Sequence, residues 1–302
     1  MEQPPATPDL VAHMATWSGT HRPNSLPAVL ECVDAGVRRV ELDVHSLDGD
    51  DWTVSHDRRL EAETTGSGPI GRATPDDIRA VRFRDGAGGR PALLSEVVDA
   101  VRGAAIELQL DLKDWRPMPE ARLRPLGRIV APLGPRVIVS TGQDWNLRRL
   151  REHAPDVRYG FDPGHYLDYA VEGSPVFLPR TMGAYGYRDD HPLAFGRTEE
   201  TADYLRERFE ILHVAAPDAR EYFLDWRLVL QMLDDGFDAA AWLHARGIGA
   251  NVWTLDVATE REDAQARFHA FARLAAAGID RVTTNTGPAW RRLLATAGVS
   301  GA

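Results

Sequence analysis

Cysteine is almost missing from this sequence: the single residue, Cys32, excludes an intramolecular disulfide and lends no support to secretion. It falls in a helical pattern with Leu30, Val33 and Val37, which makes it a packing residue. Long hydrophobic runs are also missing, since no stretch reaches the ~18 apolar residues of a membrane span. The opening MEQPPATPDL has neither a basic n-region nor an apolar h-region, so the expectation is a cytoplasmic protein with no integral membrane segment. Basic charge is short as well, 35 Lys and Arg against 45 Asp and Glu for a net charge of −10, which argues against a nucleic-acid partner. The densest basic run, Arg122–Arg128, alternates with apolar residues as a solvated helix face does. Repeats and low-complexity tracts do not occur beyond the Pro-rich start and the small-residue end.

What is present is an ordinary globular composition, 43% apolar and 26% charged over 302 residues, which suits one large α/β domain over residues 1–302. Apolar runs predict strands at Asp9–His13, Arg39–Val44, Ala105–Lys113, Arg136–Thr141, Val157–Asp162, Ile211–Ala215, Gly249–Asp256 and Arg281–Asn285. Helical spacing falls between most of them, at Ser25–Ala35, Pro91–Val101, Glu120–Val130, Trp145–His153, Glu199–Arg208, Leu228–Arg246 and Ala264–Ala277. Eight strands alternating with helices predict a (β/α)8 TIM barrel, whose chemistry sits at the carboxyl ends of the strands. Trp52–His56 follows Val44 too closely for a parallel crossover and is expected to be the return arm of a rim hairpin. Residues 58–90, polar and rich in Gly, Thr and Asp, are too long for a plain loop and are expected to form a small inserted lobe after that hairpin.

The chemistry concentrates in Val40–Asp57, reading VELDVHSLDGDDWTVSHD. Glu41 and Asp43 are two apart on a strand, so both point to one face, and the returning arm brings His56 toward the same end. At the other strand ends stand His13, Asp111, Lys113 and Trp253. Glu41, Asp43 and Asp111 supply hard oxygens for a divalent cation, Mg²⁺ or Ca²⁺, with positions left for phosphate oxygens. His13 and His56 would then act as acid and base, and Lys113 would add positive charge for the phosphate. Taken singly, each has a plainer reading: a strand's wet face, an interior Asp–Lys ion pair, a structural histidine, a core tryptophan. Their coincidence at one barrel end favours function.

These residues resemble the glycerophosphodiester phosphodiesterase family. The matching segments are ELDV at Glu41–Val44, VSHD at Val54–Asp57, TTGSG at Thr64–Gly68, RPALLSEVV at Arg90–Val98, DLK at Asp111–Lys113, VWTLD at Val252–Asp256 and TTN at Thr283–Asn285. The resemblance implies a TIM barrel with a small insertion, metal held by Glu41, Asp43 and Asp111, acid–base work by His13 and His56, and substrate positioned by Lys113 and Trp253. The implied substrate is a small phosphodiester or lysophospholipid, cleaved by a monomer or weak homo-oligomer. Met14 stands where the family's HRG motif has arginine, Pro23-Asn24-Ser25 is what remains of its PENT segment, and Asp111 replaces a glutamate. His-Met, DLK and the terminal T-N also resemble sphingomyelinase D and phospholipase D-like toxins, which release a cyclic phosphate. A catalytically silent phosphate-binding barrel is the remaining alternative. Trp17, Trp115, Trp145, Phe161, Tyr166 and Tyr169 are expected to crowd the catalytic face, where aromatic rings suit an apolar or quaternary-amine arm.

Overall fold

The β-rich runs of the sequence close into one ring. The computed structural model describes residues 7–85, 89–168, 185–186, 200–257 and 261–298. Its barrel strands are Asp9–Ala12, Arg39–Ser46, Glu107–Leu112, Val137–Thr141, Arg158–Phe161, Glu221–Asp225, Gly249–Trp253 and Arg281–Thr284. Each lies parallel to the next, and the first pairs with both the last and the second, which closes the barrel. No helix among the described residues is long and apolar enough to cross a membrane.

Local signals set the crossovers. Ser25 accepts a hydrogen bond from the Ala28 amide at 3.3 Å and starts the helix Leu26–Asp34, and Gly36, at φ +65°, turns the chain into the second strand. The arm Trp52–Val54 returns antiparallel to the second strand, with Val54 opposite Val44. Beyond it come two short turns, Leu60–Ala62 and Ile70–Arg72, and the helix Pro75–Ala80, which opens with a Thr74–Asp77 capping box. Their Leu60, Ile70, Ala73 and Ile78 pack with Leu47 and Leu93 in an apolar cluster apart from the barrel core.

The sixth strand is Glu221–Asp225, not Ile211–Ala215. The stretch around Ile211 instead completes the helix Thr201–Ala215, which buries Leu205, Phe209 and Leu212 at helical spacing and leaves Ile211 and Val214 exposed. A β-branched composition suggested a strand, but the 3.6-residue period of the buried face prevails. His213 consequently lies on that helix, its ring edge-on to Trp242 at 6.1 Å. The predicted helix Leu228–Arg246 is two helices, Trp226–Asp234 and Ala239–His244, separated where Gly236 takes φ +85°.

The floor of the barrel, at the amino ends of the strands, is a buried ion network. Arg39 donates to Glu221 at 2.5 and 3.0 Å and to Glu107 at 2.5 and 2.9 Å. Arg158 and Asn251 reach the same Glu221 at 3.0 and 2.8 Å.

Candidate active site

Strand register assembles the acids. Asp43 lies directly opposite Asp111, and Glu41 opposite Gln109, so three carboxylates from two adjacent strands converge inside the upper barrel. Glu41, Asp43 and Asp111 offer ligand oxygens that all lie within 4.8 Å of one another. Lys113 follows on the same strand end and sits between two of them, 2.8 Å from Asp43 and 2.6 Å from Asp111. One ammonium does not neutralise three carboxylates. Burial and the neighbouring Asp43 push the Glu41 carboxyl well above its ordinary value, although Lys113 and the Met14 amide pull the other way. For Lys113 burial disfavours the ammonium, but Asp111, Asp43 and Glu41 outweigh it and raise its pKa.

The loop after the first strand is bent to serve this cluster. His13–Ala15 form one tight turn in which Met14 and Ala15 take φ +52° and +54°. Left-handed backbone costs a non-glycine residue about 1–2 kcal/mol. Here it aims the Met14 amide at Glu41, 2.8 Å away. Asn24, also left-handed at φ +54°, donates to Asp43 at 2.6 Å and accepts from the Asp43 amide at 3.1 Å. What is left of the PENT segment thus orients one of the clustered acids, and position 14 contributes a backbone donor.

His13 is held by a relay that its own sequence neighbourhood does not reveal. Asp256 accepts from Asn285 Nδ2 at 2.9 Å and from the Asn285 amide at 2.6 Å, which turns the Asn285 carbonyl oxygen to His13 Nδ1 at 2.9 Å. That oxygen only accepts, so the network assigns the proton to Nδ1 and leaves the Nε2 lone pair free. Nε2 looks toward the acids, 3.9 Å from Glu41.

His56 is placed differently, on the rim just beyond the hairpin arm, with its side chain 54% exposed and Asp57 at 3.7 Å from Nδ1. The buried His45 anchors this rim by donating from Nε2 to the His56 carbonyl at 3.3 Å. The Asp114 carboxylate stands 3.6 Å from His45 Nδ1. Burial would raise Asp114, but bonds from His45 and the Ser46 amide hold it below the usual carboxylate value.

A cavity of about 650 Å³ opens directly from Asp111 and Lys113 and is walled by Trp115, Trp145, Tyr166 and Trp253. Of the other rings expected on this face, Trp17 packs beneath the terminal helix, where a Cβ on Gly287 would come within 2.0 Å of it, and Phe161 is core, edge-on to Tyr222 at 5.5 Å. Tyr169 lies outside the described residues. On the cavity floor, burial pushes the Asp162 carboxyl up to about 7, against the pull of the Gly164 amide.

The residues missed in the sequence are His45, Asp162, His165 and Asp256, while Asn24 and Asn285 were visible in their motifs without the contacts they make. Asp162, Asp256 and Asn285 follow barrel strands closely, so the rule that chemistry sits at carboxyl ends was the signal available for them.

A closed parallel barrel with this cluster at its carboxyl mouth is a TIM barrel carrying a candidate cation site. Residues 17–162 match the model of the glycerophosphoryl diester phosphodiesterase family. No curated protein matches this chain in sequence. Among solved structures, an Oleispira antarctica phosphodiesterase in complex with the product sn-glycerol-3-phosphate shares 17% identity at a TM-score of 0.62, over 96% of this chain and 97% of that one. A glycerophosphodiester phosphodiesterase from Parabacteroides distasonis shares 15% identity at a TM-score of 0.63, over 97% and 99% of the two chains.

Proposed function

We propose that this chain cleaves a glycerophosphodiester or lysophospholipid-like diester with the help of a divalent cation, using His13 and His56 as acid and base. The observation that carries the reading is the under-neutralised trio of Glu41, Asp43 and Asp111, beside a histidine whose Nε2 is kept free. The trio is a set of hard oxygen donors that fits Mg²⁺ or Ca²⁺. Bound there, the cation would polarise the phosphoryl oxygens and offset their charge. Lys113 holds a further phosphate oxygen, and Trp253 borders the substrate.

In hydrolysis the water oxygen bonds to phosphorus as the phosphorus–alkoxide bond breaks. His13 Nε2 takes the water's proton, its Nδ1–H staying on Asn285, and the rim imidazole of His56 gives a proton to the leaving oxygen. A phosphomonoester and an alcohol result. Attack by a hydroxyl of the substrate itself is the second reading. It is suggested by the His13-Met14, Asp111–Lys113 and Thr284-Asn285 segments, which resemble those of the toxin-like enzymes. The product would then be a cyclic phosphate.

The test is turnover of bis-p-nitrophenyl phosphate with and without EDTA. Activity should vanish on chelation and return with Mg²⁺ or Ca²⁺, and Asp111→Asn should raise the cation concentration needed. Turnover indifferent to chelation would overturn the cation's part.

A further inference from the structure

The cavity beyond the phosphate site carries hydrogen-bonding groups that the reaction does not use. Gln143 accepts from the Thr141 hydroxyl at 2.5 Å, which presents its amide nitrogen to His165 Nε2 at 2.7 Å. His165 Nε2 therefore accepts, and the ring proton is on Nδ1. The Cδ2–Nε2 edge of the ring lies against Gly142, where a Cβ would approach Cδ2 to 2.5 Å, so the N–H edge is the one left to the cavity that His165 lines. Asp162 lines the same space. One of its oxygens accepts from the Gly164 amide at 2.8 Å, and the other remains for a ligand.

The floor thus offers one donor and one acceptor between indole walls. An acyl chain would cover both groups without pairing them, leaving a buried donor and a buried acceptor unsatisfied. A quaternary ammonium would leave the His165 N–H unpaired and would meet a cation already in place, since the Arg58 guanidinium stacks 4.6 Å from the Trp115 ring centre. Hydroxyl groups satisfy donor and acceptor together. An open three-carbon chain would leave most of the roughly 650 Å³ to water, whereas a ring presents flat C–H faces to Trp115, Trp145 and Trp253.

We infer that the arm of the diester lying beyond the phosphate is a cyclic polyol, a sugar or cyclitol ring, with its hydroxyls held by Asp162 and His165 and its faces by the tryptophans. This rests on the phosphodiesterase reading above and names the substrate class of that site.

The experiment compares kcat/KM for glycerophosphoinositol, glycerophosphocholine, glycerophosphoethanolamine and bis-p-nitrophenyl phosphate, with saturating Mg²⁺ or Ca²⁺. The inositol diester should exceed the choline diester at least tenfold. Asp162→Asn, which keeps the shape of the side chain, and His165→Phe should each erase that preference, mainly through KM. Quenching of tryptophan fluorescence by myo-inositol 1-phosphate gives a readout independent of turnover and should weaken at least tenfold in Asp162→Asn. Equal rates on all three glycerodiesters, or a preference for choline, with bis-p-nitrophenyl phosphate still turned over, would overturn the inference alone. Turnover of no diester would overturn the reading on which it rests.

Discussion

Glu41 and Glu221 are the same residue type, both buried inside one barrel, and they are shifted in opposite directions. Burial works to raise each. At the floor, hydrogen bonds and charge from Arg39, with Arg281 and Arg158 nearby, overcome it and hold Glu221 below its ordinary value. At the mouth, Asp43 adds to burial, and Lys113 is too little to reverse the sum for Glu41. A buried carboxylate that the protein itself satisfies is structural. One left under-neutralised beside two more, at the carboxyl ends of the strands, is suited to a charge that comes from outside.

The contrast can be broken from either end. The largest effect expected is on catalysis, where His13→Ala should lower kcat by about 10²–10⁴-fold, read by steady-state turnover at saturating cation. Undiminished turnover would remove His13 from the acid–base pair. Next, Glu221→Ala leaves Arg39 buried with half its partners and should cost roughly 3–5 kcal/mol in urea denaturation. Removing the mouth charge acts in the other direction: Glu41→Gln should stabilise the cation-free protein while abolishing the thermal shift produced by Mg²⁺ or Ca²⁺. If Glu41→Gln and Glu221→Ala destabilise alike, the distinction between mouth and floor fails.

Asn285→Ala should cost about ten- to a hundredfold in kcat with little change in cation affinity, the scale of losing an outer partner that fixes an imidazole tautomer. The smallest effect concerns pH. Carboxyls raised in the folded state bind more protons there than in the unfolded chain, so their contribution is fully present below the ordinary carboxylate range and is lost as pH rises through the folded value. Asp162, pushed up to about 7, places that loss between about pH 4 and 7, and Glu41 adds to it on the upper side of the ordinary range. The cation-free protein should therefore melt lower at pH 8 than at pH 5, and Asp162→Asn should flatten part of the slope. Glu221, depressed, contributes in the opposite sense, losing its stabilisation as pH falls through the acid range.

The difference between what could and could not be read in the sequence follows the range of the interactions. Glu41 and Asp43 were legible because a two-residue period fixes a shared face, and Asp111 because a parallel neighbour one strand on must reach the same level. The eight-strand count held although one strand was misplaced, since Ile211–Ala215 has strand-like composition and only burial against the barrel shows that its period is helical. Asn24 was visible merely as a remnant of a motif. Its use depends on a left-handed backbone that asparagine adopts more readily than most residues, and on contact with an acid nineteen residues later. The His13–Asn285–Asp256 relay joins the two ends of the chain across the barrel closure, 272 residues apart between His13 and Asn285, and no local pattern encodes that. His45 was passed over because nothing in its spacing announces a bond to the backbone that carries His56.

The most direct test of cation-assisted diester cleavage at this mouth is phosphorus NMR of the purified protein with a glycerophosphodiester, followed before and after addition of Mg²⁺ or Ca²⁺ and then of EDTA. A phosphomonoester resonance should grow only while the cation is present. A cyclic phosphate in its place would contradict hydrolysis, and a spectrum that never changes, or one that changes regardless of EDTA, would contradict the role given to Glu41, Asp43 and Asp111.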